Sequence, residues 1–211
     1  MSNVSKETFY TLEKEAQSLY EIKRSRFIGY AMPVETVKEA QDFISRIKAL
    51  NRDARHNVYA YTVVENGNTY TKYSDDGEPQ GTAGLPLLNS IQKKEIENAV
   101  IVVTRYFGGI LLGAPGLLRA YTTAASEALE LAGRKKKVLC RKIIVEADYK
   151  YISGLINIFA SQGLHPQDSK FTDKATFVIL SEISKIEKLC YNIKELTSDN
   201  ANVEIGEYEY K

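Results

Sequence analysis

The alternation of apolar and polar positions divides the chain into elements before any chemistry is considered. Residues 8–32 read as two strands, a loosely alternating 11–22 and an apolar 27–32, joined by the polar turn 23–26 and stopped by Pro33. From 34 to 50, the apolar positions Val37, Ala40, Phe43, Ile44, Ile47 and Leu50 recur at three and four residues, the spacing of one helix face. Residues 57–64 and 69–73 read as a hairpin, with Asn66-Gly67 supplying the positive φ of the turn. A short helix is expected after Thr82, capped by that hydroxyl, with Leu85, Leu88 and Ile91 inward. Residues 99–103 form an unbroken apolar run, as in a strand buried on both faces, and an apolar-periodic helix follows over about 115–131.

Beyond Gly133 the pattern restarts. The cations Arg134, Lys135, Lys136 and Lys137 read as a solvated linker, so the first domain is set at 1–134 and the second at 135–211. The second half reads as strand 138–149, helix 151–162, strands 163–171 and 176–182, helix 183–196 and strand 203–210. That order, β-α-β-β-α-β, is the ferredoxin-like arrangement. The first half mixes a hairpin start with later strand–helix alternation, which makes it α+β rather than doubly wound.

Composition changes this picture little. At 44% hydrophobic and 26% charged residues, the chain reads as globular, with no run long enough to span a membrane. The polar, mixed-charge N-terminus lacks the apolar core of a signal peptide, so the expected location is cytoplasmic. Two distant cysteines and two histidines form neither a disulfide framework nor a zinc set. With a net charge of +1, any basic footprint must be local.

Two stretches carry candidate chemistry. After the apolar strand come Arg105, Tyr106 and Phe107, then glycines at 108, 109, 113 and 116, then a helix start that holds Arg119. A strand, a glycine loop and a helix N-terminus aim backbone N–H groups at one place, and the cation and aromatics suit something anionic and flat. A tight crossover between two core elements explains the same glycines. The second stretch, 74–84, holds Asp75, Asp76 and Glu78 with three glycines and Pro79. Arg105 is expected to pair with Asp75 or Asp76 if its role is structural. The glycines fit neither a P-loop nor a dinucleotide fingerprint, and nucleophile-elbow, zinc-protease and EF-hand patterns are missing.

Taken together, Ser25-Arg26-Phe27, Ala54-Arg55-His56-Asn57, the stretch from Asp75 to Gly84, Arg105-Tyr106-Phe107-Gly108-Gly109, Leu112-Gly113 and the run from Gly116 to Tyr121 resemble the signature of the YigZ/IMPACT family. The region after 134 resembles that family's small C-terminal domain, the DUF1949 type, by element order. The resemblance implies an N-terminal domain like the second domain of ribosomal protein S5 and a ferredoxin-like C-terminal domain similar to the last domain of elongation factor G. Both related folds meet RNA on the ribosome, and eukaryotic IMPACT proteins are linked to translational control. Ala114-Pro115 stands where many relatives have small or glycine residues, which stiffens the loop.

The expectation is a binding protein in translational regulation, with RNA or the ribosome as partner, a further protein partner in translation control, and no cofactor. Its nucleic-acid or anion-binding residues are set as Arg26, Arg55, His56, Arg105, Tyr106, Phe107, Gly108, Gly109, Gly113 and Arg119. The groove between the two loops, together with the ferredoxin-like sheet, is the expected contact surface. In an alternative, Asp75, Asp76 and Glu78 hold a divalent metal for phosphate-ester hydrolysis or transfer, although no catalytic residue is specified. A protein–protein adaptor that needs no RNA is the third reading.

Overall fold

The computed structural model describes residues 6–65 and 68–211, which form two compact units, an N-terminal one over Phe9–Lys136 and a C-terminal one over Lys137–Lys211 that also takes in residues 6–8. In the N-terminal unit, β2 (Ala16–Ile22), β3 (Ser25–Pro33), β4 (His56–Glu65), β5 (Asn68–Ser74) and β6 (Ala99–Tyr106) form one sheet in the order β2-β3-β6-β4-β5. Every neighbouring pair is antiparallel. Helix α1 (Val37–Leu50) covers one face, while α2 (Gly84–Lys93) and α3 (Gly113–Ala132) cover the other.

This three-layer build explains the unbroken apolar run. Central β6 is covered on both sides, so alternate residues serve different cores. Val100 and Val102 pack with Phe43, Ile44 and Ile47 of α1, whereas Ile101 and Val103 pack beneath α2 and α3. Helix α3 lies close to the sheet because its inward face is mostly alanine, at 120, 124, 125, 128 and 132. Gly29 of β3 completes that approach, since a Cβ there would lie 2.6 Å from the carbonyl oxygen of Ala124.

In the C-terminal unit, β7 (Arg134–Ala147), β8 (Asp168–Phe171), β9 (Ala175–Glu182) and β10 (Asn202–Tyr210) run in the order β8-β9-β7-β10. Helices α4 (Ile152–Ser161) and α5 (Ile183–Thr197) pack on one face around Ile143, Val145, Leu155, Phe159, Phe177 and Leu189. This is the ferredoxin-like arrangement. Strand β1 (Thr8–Leu12) joins this sheet, and Leu139 N donates to the carbonyl of neighbouring Glu7.

Several expectations change. Residues 8–32 hold three strands rather than two, because β1 is separate from the β2–β3 hairpin. Arg134–Lys136 open strand β7 instead of forming a linker, because the helix ends at Gly133 and the next strand starts at once. Strand β8 covers only four residues. Residues 66–67 of the expected hairpin turn lie outside the described residues, while Glu65 and Asn68 on either side are paired.

The close packing of α3 on β3 yields a direct test. Gly29→Ala is expected to destabilise the protein by about 2 kcal/mol or more, read as a lower urea midpoint, because neither backbone can yield to the added methyl.

Candidate functional site

Successive residues of a strand point to opposite faces, so β6 delivers Arg105 and Tyr106 to different layers. Arg105 stands in register with Phe27 of β3 and His56 of β4, on the side of α2 and α3. Glu78 enters there from the acidic loop. Its Oε1 accepts a hydrogen bond from Arg105 Nη1 at 2.7 Å and another from the Tyr121 hydroxyl of α3 at 2.8 Å. His56 Nε2 lies 3.9 Å from the same oxygen. Arg105 is 6% exposed and Glu78 8%, so this is a desolvated ion pair with a phenol attached. The rings of Phe27 and Phe107 flank the guanidinium at 5.5 and 5.4 Å. Arg105 Nε is buried with no hydrogen-bond partner.

The other two carboxylates of the loop are committed elsewhere. Asp75 accepts from Gly81 N, Ala83 N and Gly84 N at 2.9, 3.1 and 2.8 Å, which makes it the cap of α2. Thr82 does not cap α2; its hydroxyl bonds back to the Pro79 carbonyl at 2.6 Å. Asp76 takes Lys48 Nζ on one oxygen and Asn57 N on the other, each at 2.7 Å. Its own carbonyl accepts from His56 Nδ1 at 2.8 Å, so that nitrogen carries the hydrogen.

This geometry overturns the metal reading of Asp75, Asp76 and Glu78. Each carboxylate turns to a different donor, and no group of three metal-ligating side chains occurs among the described residues. Arg105 likewise pairs with Glu78, not with Asp75 or Asp76. Buried in that pair, Arg105 is an internal strut and cannot serve as an exposed anion contact. His56 is part of the same packing, with 14% of its side chain exposed.

Tyr106, on the opposite face, donates from its hydroxyl to Asn51 Oδ1 at 3.0 Å, and Arg26 lies over its ring at 4.9 Å. Arg26, Arg52, Arg55 and Arg119 are exposed, as are Lys23 and Arg24 in the two-residue turn between β2 and β3. None of these six cations makes an ion pair among the described residues. Register places the turn, Arg26, Arg55 and the end of β6 at one end of the sheet.

The glycine loop is fastened to that turn. Gly108 N donates to Ser25 Oγ at 3.1 Å, and a Cβ on Gly108 would lie 2.1 Å from the Arg24 carbonyl carbon. The amide of Gly108 is therefore spent inside the fold, while Gly109 has open space beside it and a Cβ on Gly113 would meet only Pro115 Cδ at 4.0 Å. Sequence reasoning missed Tyr121, Ser25 and Lys48. Tyr121 carries a signal, as a tyrosine on the inward face of a mostly alanine-lined helix, where its hydroxyl needs a partner.

The Impact N-terminal domain matches residues 23–129. The IMPACT family member YvyE of Bacillus subtilis is 34% identical over 203 residues, covering 96% of this chain and 93% of its own. The chain belongs to the IMPACT family. Within the family, YigZ of Escherichia coli is 35% identical over 136 residues, 64% of this chain and 67% of its own. The human protein named IMPACT is 32% identical over 132 residues, and the match spans 41% of its length. A crystal structure described only as that of a hypothetical protein shares the fold, at TM-score 0.63 and 24% identity over 96% of this chain and 98% of its own.

Two outcomes follow from the buried cluster. Glu78→Gln is expected to cost about 3 kcal/mol in chemical denaturation by leaving Arg105 charged and unpaired, with part recovered in Glu78→Gln/Arg105→Met. Burial, and secondarily the Glu78 carboxylate, raise the Tyr121 phenol well above its ordinary value near 10. The stability it contributes is complete below pH 10 and lost as the pH rises further. Unfolding scans should therefore show a shallower alkaline loss of stability above pH 10 in Tyr121→Phe than in the parent.

Proposed function

We propose that this chain is a cytoplasmic binding protein of translational control that associates with RNA or the ribosome through the cationic end of its N-terminal sheet. The observation that carries this reading is the separation of charge at that end. Of the loop carboxylates, Glu78 is buried on Arg105, Asp76 pairs with Lys48 and Asp75 is held by backbone amides, while Arg26, Arg52 and Arg55 face solvent with no ion pair among the described residues. Free cations on a rigid frame exchange condensed counterions for phosphates, which makes the contact strong at low salt and weak at high salt. Arg26 stacked on Tyr106 adds a planar cation beside an aromatic, a pairing that suits an exposed base. Membership of the IMPACT family supports the link to translation.

The ferredoxin-like sheet is left out of the proposed contact. Its edge strand β10 carries Glu204, Glu207 and Glu209, a row of carboxylates that repels a polyanion. Enzymatic phosphate chemistry has no support from the acidic loop, whose carboxylates are already occupied.

Sedimentation with purified ribosomes at two salt concentrations tests the reading. The parent should co-sediment at low salt and detach at high salt, and Arg26→Ala/Arg55→Ala should weaken association by about 10-fold with unchanged thermal stability. Failure of the parent to associate at low salt would overturn it.

A further inference from the structure

The loop that follows β6 presents apolar side chains outward on a fixed base. Ile110 is 41% exposed and Leu111 81%, with Leu118 at 46% on the first turns of α3 and Phe107 at 41%. The base is held by the Gly108 bond to Ser25 and by the packing of Leu112 against the core. Gly109 and Gly113, with φ of 86° and 70°, bracket the three residues between them and turn Ile110 and Leu111 away from that core. Leu111 in particular adds little to the unit's own burial, and exposed large apolar groups on a fixed support mark a contact with another molecule. Phosphates and sugars offer little to leucine and isoleucine, so the tip is a different kind of contact from the cationic rim.

The charges beside it select the partner. Lys23 and Arg24 lie in the turn against which Gly108 packs, and Arg119 follows Leu118 on α3. All three are exposed and unpaired among the described residues, and α3 begins without a side-chain cap, leaving the positive end of its dipole open. We propose that the 107–118 tip docks an acidic segment of a partner protein, with large apolar side chains of that segment seated on Ile110, Leu111 and Leu118 and its carboxylates on Lys23, Arg24 and Arg119. Apolar anchors set the affinity, and the surrounding cations set orientation and exclude basic or neutral segments.

A photo-crosslinking amino acid at position 111 of the full chain, applied in a lysate of its native host, tests this. The crosslink is expected to map to a protein segment of net negative charge that contains large apolar residues. A synthetic peptide of that sequence should then bind the parent, with affinity falling about 10-fold or more in Leu111→Asp and in Arg119→Glu. Leu131→Asp, at the far end of α3 and 55% exposed, should leave it unchanged. A crosslink to RNA, to lipid, to a second copy of this chain or to a neutral or basic segment overturns the proposal, as does no crosslink or a peptide that binds the variants equally well. The Arg26→Ala/Arg55→Ala variant alters neither the apolar tip nor Lys23, Arg24 and Arg119, so either result stands without the other.

Discussion

The N-terminal unit depends on one buried charge pair. Glu78 lies in a loop with no regular structure, yet it joins that loop to the end of β6 through Arg105 and to α3 through Tyr121. Removing both charges from water carries a large desolvation penalty, which is offset only when all the partners are in place together. Loop, strand end and helix therefore take up their positions as a set. The aromatic rings of Phe27 and Phe107 on either side keep the guanidinium dry and narrow the geometries it can adopt.

That constraint sorts the charges at this end of the sheet. With Asp75 on the N-terminus of α2, Asp76 on Lys48 and Glu78 on Arg105, each carboxylate of the acidic loop is held by a donor of the fold. The neighbouring arginines are left to act on solvent and on whatever binds there. A net charge of +1 conceals this division, because the balance is struck between inside and outside and not along the chain.

The two units solve the same burial problem differently. Between helices on both sides, the N-terminal sheet can keep β6 apolar from Ala99 to Val103, whereas the C-terminal sheet packs its helices on one face and alternates along β7 and β9. The functional reading rests on the first unit because there the unpaired cations, a stacked aromatic and an outward apolar tip sit on elements fixed by the core. The acidic β10 edge of the second unit has a different electrostatic character.

Much of the fold was legible in the residues alone. Periodicity located the five α-helices of the described residues and the β-α-β-β-α-β order, because burying one face of a helix or strand imposes a local repeat that survives in the chain. The separation of β1 from the hairpin, and the strand that begins within the cation run, left no such repeat. They are decided by backbone pairing with residues far away in sequence. The motifs pointed to the correct family, but not to the role of each residue. Arg105 and Arg26 look alike as sequence. Only the strand pleat, which turns Arg105 toward a buried carboxylate and sets Arg26 over a half-buried tyrosine on the other face, makes one a strut and the other a surface charge.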